Sequence, residues 1–145
     1  MKPVFALTLS GLLMLTAMAT QAEPASNEQV AARSEVLDLA GAFQNDGFKI
    51  HDGNLVGKVT RDHAQVVLVN LYSGNAYWFS AATSPSQSLK ISLFDDQGRP
   101  VAYEPYIQGN RAAAGFSPSA SGLYYVKISN DDVQPATFCL IYSYK

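Results

Sequence analysis

An antiparallel β-sandwich of jelly-roll or Greek-key type, all-β apart from one N-terminal amphipathic helix, is the architecture this sequence leads one to expect. Three observations carry that expectation. After Gly47 the chain is a succession of short apolar runs divided by Gly, Pro, Asn and Asp clusters, the spacing of an all-β sandwich. Within those runs the apolar residues alternate, with the period of two that a pleated strand imposes. In the stretch FSPSASGLYYVKIS (116–129), Gly122 stands two residues before Tyr124. That spacing is the pattern of a tyrosine corner, in which the ring packs at the end of a sheet and its hydroxyl bonds upstream backbone.

In chain order, residues 1–22 come first and differ in composition. Lys2 precedes the apolar run Val4–Ala19, and Thr20-Gln21-Ala22 places small residues before Glu23-Pro24. This is the pattern of a secretory signal peptide cleaved after Ala22, so the mature protein is expected in the periplasm or secreted. Thr8, Ser10, Gly11 and Thr16 interrupt a run already shorter than the ~20 apolar residues of a spanning helix, so no membrane span is expected in the mature chain. Residues 23–47 form a second unit, a polar start followed by a helix over Asn27–Asn45. Val36, Leu39, Ala40 and Phe43 fall on one stripe, Ser26 with Gln29 makes a capping box, and Asn45-Asp46-Gly47 ends the helix. A lone helix of this length is marginal in water and must dock, most simply on the sandwich itself.

Residues 48–145 are the sandwich. Phe48–His51 and Leu55–Thr60 flank Asp52-Gly53-Asn54, which reads as a hairpin. Val66–Leu71 is apolar on both faces, as a central strand would be. In Ala76–Ala81, Tyr77 and Phe79 share a face opposite Trp78. Leu89, Ile91 and Leu93 point inward from a strand that ends at the turn 95–100, and a further short strand is expected over Val101–Tyr103. Pro105–Arg111 reads as an irregular loop bearing an aromatic. Ala112, Ala114 and Phe116 lead into Tyr124, Val126 and Ile128, and the last strand alternates Phe138, Leu140, Tyr142 and Tyr144 with Cys139, Ile141 and Ser143.

Charge and composition exclude several functions. The whole chain carries 10 basic and 12 acidic side chains, and without Lys2 the net charge is −3, spread without blocks. Nucleic acid, which demands a basic patch, is therefore not an expected partner. The single cysteine, Cys139, sits inside the run FCLIY and reads as a buried small hydrophobe, with no intramolecular disulfide. His51 and His63 fall short of a zinc site, and Asp95-Asp96 and Asp131-Asp132 read as turn acids that supply only part of a calcium shell. No metal or cofactor is expected. No Gly-x-Ser-x-Gly elbow is present, so catalysis is not expected either.

Tyr77-Trp78-Phe79, then Leu-x-Ile-x-Leu-Phe-Asp (89–95) before a Gly turn, then Phe-x-Pro-x-x-Ser-Gly-x-Tyr-Tyr-Val-x-Ile (116–128), resembles the bacterial pre-peptidase C-terminal domain over about Leu55–Tyr144. The resemblance implies a jelly-roll-like sandwich without catalytic residues, an accessory or binding module of secreted hydrolases. Some relatives bind calcium through acidic residues, and no dense acidic loop here matches such a site. A helix in front of the sandwich departs from the family pattern.

The aromatics suggest where binding would occur. With the alternating rings assigned to the core, Trp78, Tyr103, Tyr106 and Tyr125 remain on opposite faces or in loops. Exposed rings supply large rigid contact area at small entropic loss. Tyr103, Tyr106 and Arg111 are thus the expected contact surface, with Trp78 either a fourth member or covered by the helix. The expected function is a non-catalytic binding module recognising a protein or envelope glycan. A small inhibitor of a hydrolase is the alternative, and a hydrolase with a dispersed site ranks after it.

Overall fold

The computed structural model describes residues 25–85 and 87–145. The expected signal peptide lies outside them. Helix α1 (Asn27–Gln44) begins at the expected capping box. The Ser26 Oγ accepts from the Gln29 N–H at 3.2 Å, and the Gln29 Oε1 accepts from the Ser26 N–H at 3.0 Å. The chain then leaves through Asn45-Asp46-Gly47 into strands β1 (Lys49–Ile50), β2 (Leu55–Val59), β3 (Gln65–Leu71), β4 (Tyr77–Ser84) and β5 (Lys90–Asp95). Strands β6 (Glu104–Gln108), β7 (Arg111–Phe116), β8 (Gly122–Ser129) and β9 (Ala136–Tyr144) complete it.

The strands form two antiparallel sheets. The six-stranded one runs β1-β9-β4-β7-β6, with β2 also on β9, and the three-stranded one runs β3-β8-β5. Between them lies the core, in which Phe79, Phe138, Leu71, Leu93, Val126 and Ile128 are buried. The expected alternation holds in both layers. Tyr124, Val126 and Ile128 point inward from β8, while Leu123, Tyr125 and Lys127 face outward. The corner closes as its spacing requires: the Tyr124 hydroxyl donates to the Ala120 carbonyl at 2.7 Å.

Helix α1 covers the outer face of the larger sheet. Ala32, Val36 and Ala40 pack on Ala82, Cys139 and Ile141; small alanines on both layers allow close approach. Glu28 accepts from the Thr137 hydroxyl at 2.9 Å and Glu35 from the Arg111 Nε at 2.7 Å, tying the first turn and the middle of the helix to the sheet. Beneath the helix the hydroxyls of Ser80 and Ser143 are buried with no partner among the described residues.

Four expectations are corrected. The segment 105–111 is a hairpin rather than an irregular loop. Gly109, at φ +59°, and Asn110 make its two-residue turn, and Pro105 is tolerated because β6 is an edge. Asp52-Gly53-Asn54 is no hairpin turn, because β1 and β2 do not pair with each other. Both run along β9, and the turn residues bulge out between them. Strand β3 pairs only with β8 and is an edge; its outward residues Val66 and Leu68 are exposed. Val101–Tyr103 adds no strand and is held by the Val101 N–H on the Leu93 carbonyl at 3.1 Å.

Two expectations can be measured. Tyr124→Ala removes a buried ring and lowers stability by about 3–5 kcal/mol, whereas Tyr125→Ala, from the outward face, costs much less. Equal denaturant midpoints for the two variants would contradict the assigned faces. Burial pushes the Cys139 thiol above its ordinary pKa, with the Arg33 charge opposing weakly, so the reactive thiolate is scarce. Native protein resists a thiol reagent until denaturant unfolds it.

Candidate functional site

The four residues expected at the contact surface do not converge. Arg111 lies under the helix in its pair with Glu35. Cross-strand partners share a face, so Tyr106, opposite Ala113, is on that same helix side, with its hydroxyl donating to Gln108 Oε1 at 2.7 Å. Tyr103 packs against the core on the other side of the sheet. Trp78 lies on the helix side, stacked under Phe43 with ring centroids 4.3 Å apart. Its opposite partner is Gly115, where an added Cβ would come within 2.9 Å of the indole. Both faces of the indole are thus occupied.

A different group does converge, at the open margin of the sandwich where β1 and β9 approach the end of β3. His51 extends β1 by one residue, its N–H bonding the Tyr142 carbonyl at 2.9 Å, before the chain bulges through Asp52-Gly53-Asn54. Strand β9 brings Tyr142 and Tyr144, β4 brings Tyr77, β3 brings Asn70, and the turn between β3 and β4 brings Tyr72 and Asn75. Together these seven residues line a cleft of about 440 Å³ that contains no Lys, Arg, Asp or Glu.

The cleft is ordered by its own bonds. Tyr77 is buried, and its Oη accepts from the Tyr72 N–H at 3.0 Å and from the Asn75 amide at 3.3 Å, which fills both its lone pairs. The Asn70 amide donates to the Tyr72 hydroxyl at 3.4 Å. Each asparagine keeps a side-chain carbonyl oxygen as a further acceptor in the cleft lining. The His51 ring stacks on Tyr142 at 4.4 Å, and its Nδ1 lies 2.8 Å from the Asp52 carbonyl. A carbonyl can only accept, so Nδ1 carries the proton and Nε2 of the neutral ring is an acceptor. Burial, then the neighbouring Tyr77 and Tyr144, push the Tyr142 phenol above its ordinary pKa, so its hydroxyl stays protonated into alkaline solution. Tyr72 stands at the rim, 57% exposed.

A second hollow of about 250 Å³ adjoins it. His51 and Tyr142 are common to both, and Asp52, Asn54, Leu55, Val67, Val69 and Leu140 line the remainder. A larger, polar depression lies elsewhere, between the turns 95–102 and 117–122. Of its two carboxylates, Asp95 and Asp96, the first is already engaged. Asp95 accepts from the Arg99 and Gln97 N–H groups and from the Arg99 guanidinium. The Arg99 N–H is the main reason the Asp95 carboxyl sits below its ordinary pKa. Among the described residues no three His, Cys, Asp or Glu side chains gather at one point, and no helix is long and apolar enough to cross a membrane.

No family model matches the chain, and no curated protein sequence matches it. Solved structures do. The crystal structure of the pre-peptidase C-terminal domain of a collagenase from Bacillus anthracis superposes with a TM-score of 0.50 at 23% identity, covering 62% of this chain and 87% of that one. The fold is that of a pre-peptidase C-terminal domain. The resemblance read from the strand motifs is therefore a resemblance of architecture, and the helix precedes the strands on which it was based.

The sequence reading weighed His51 as a zinc ligand, and set it aside, placed Tyr142 in the core, and passed over Asn70, Tyr72, Asn75 and Tyr144. The available signal was weak: tyrosines and asparagines gathered at strand ends, a pattern that turns also produce. Because the Tyr77 oxygen serves two donors, Tyr77→Phe leaves them unpaired and lowers stability by roughly 1–3 kcal/mol in a denaturation experiment. A Tyr77→Phe variant as stable as the parent would show that the cleft is not organised through that hydroxyl.

Proposed function

We propose that this chain is an exported, non-catalytic binding module that holds an envelope glycan in the tyrosine-lined cleft. The observation that carries the reading is the lining itself: four tyrosines, two asparagines and one histidine around a single concavity with no formal charge. Aromatic rings offer flat apolar area to the C–H face of a sugar ring, and amides, phenols and an imidazole nitrogen satisfy its hydroxyls. The non-catalytic reading rests on the absence of a carboxylate pair or a nucleophile beside His51 in that lining, and on the fold shared with the pre-peptidase C-terminal domain of a collagenase. Export rests on residues 1–22.

A protein partner at the outer hairpin is the second reading, with inhibition of a hydrolase as one form of it. It is favoured by edge strand β6, every residue of which is exposed, and by Ile107 at 62% exposure beside Tyr106. In this reading Tyr103, Tyr106 and Arg111 would act from the hairpin's two faces and Trp78 would serve as support beneath the helix.

Retention on insoluble cell-wall polysaccharide separates the two. Tyr72→Ala weakens retention at least about tenfold, or 1.4 kcal/mol, while stability changes by no more than about 1 kcal/mol. Tyr106→Ala leaves retention unchanged. The reverse pattern, with loss of a stoichiometric protein complex in Tyr106→Ala alone, would favour the hairpin.

A further inference from the structure

Resting on the glycan reading above, we infer that the ligand is an N-acylated saccharide, its sugar ring on the tyrosines and its acyl group in the adjoining hollow. The two concavities adjoin at the stacked His51 and Tyr142, which line both. Their chemistry differs sharply. The first is aromatic and amide-lined, whereas Leu55, Val67, Val69 and Leu140 make the second largely aliphatic. A sugar hydroxyl there would be desolvated against aliphatic side chains without a partner, at a cost; a methyl or short acyl chain gains by the same burial.

The polar groups at the junction suit an amide. Asp52 can accept only, as the N–H of an acylamino group requires, and the Asn54 amide can donate to an acyl carbonyl. His51 is fixed between the halves by its stack on Tyr142 and its bond to the Asp52 carbonyl, so Nε2 is held as an acceptor for a ring hydroxyl. No Lys or Arg lines either half, and Asp52 is the one charge present, so phosphate- or uronate-rich polymers meet no counter-charge. Leu55 is reachable because β2 is an edge of its sheet and the side chain is 39% exposed.

The test uses the intact protein and two tetrasaccharides, cellotetraose and tetra-N-acetylchitotetraose, which differ in the substituent at C2. Titration calorimetry with the parent protein is expected to show the N-acetylated ligand binding at least about tenfold more tightly. Leu55→Ser, or Val67→Thr, which keeps the shape and adds a hydroxyl, removes most of that preference and leaves cellotetraose binding unchanged. Tyr72→Ala weakens both ligands. Equal affinity of the parent for the two, or a preference that survives both hollow variants, overturns the acyl assignment while the glycan reading stands. Failure of both tetrasaccharides to bind overturns the glycan reading and the inference with it.

Discussion

The antiparallel pairing of β9 with β4 on one side and with β1 and β2 on the other is the contact on which every other layer depends. It joins the last strand of the chain to the first two. Buried on both faces over most of its length, β9 sends Phe138 and Leu140 into the sandwich core and Cys139 and Ile141 to the helix. Parallel-sheet strands bury both faces as a rule; an antiparallel strand does so only where something covers the second face. Here that cover is α1, seated on a bed of Ala82, Cys139 and Ile141.

The bed also explains the treatment of Trp78. Between its cross-strand partners Gly115 and Ser143 the indole stands tall, and it lies flat because Gly115 presents no Cβ. Phe43 then closes over it from the last turn of the helix. Size governs here more than polarity. Ser80 and Ser143 fill positions where the helix approaches closely, although their hydroxyls find no partner among the described residues, a cost that a slightly larger apolar side chain would replace with a steric one.

The cleft arises from the same pairing. Between Ile50 opposite Ser143 and Leu55 opposite Leu140, the outer edge spends two more residues than β9 does, and the excess emerges as the bulge 52–54. Bulges re-aim side chains at sheet margins. This one leaves His51 in register beside Tyr142 while holding Leu55 at the lip of the second hollow, so that aromatic and aliphatic surfaces meet at one imidazole. Binding sites grafted onto margins of rigid sandwiches exploit this arrangement, since the core keeps its packing whatever the rim becomes.

Local sequence determined what local physics controls. The capping box at Ser26 and Gln29, the alternation of β4, β5, β8 and β9, and the Gly122–Tyr124 corner depend on neighbours a few residues away, and each was legible. The hairpin at 104–116 was equally local, and its Gly109-Asn110 turn was there to be read; Pro105 and the polar strand around it hid the signal. Tertiary structure alone decided the rest. Asp52-Gly53 has the residues of a hairpin turn, yet β9, eighty residues later in the chain, outcompetes the local partner because it offers β1 and β2 a buried, continuous ladder. Tyr144 is remote in sequence from Tyr72 and Tyr77, and all three are equivalent in composition to core rings. Which of them faces a cleft depends on sheet register, and register is set by pairings that no window of the chain contains.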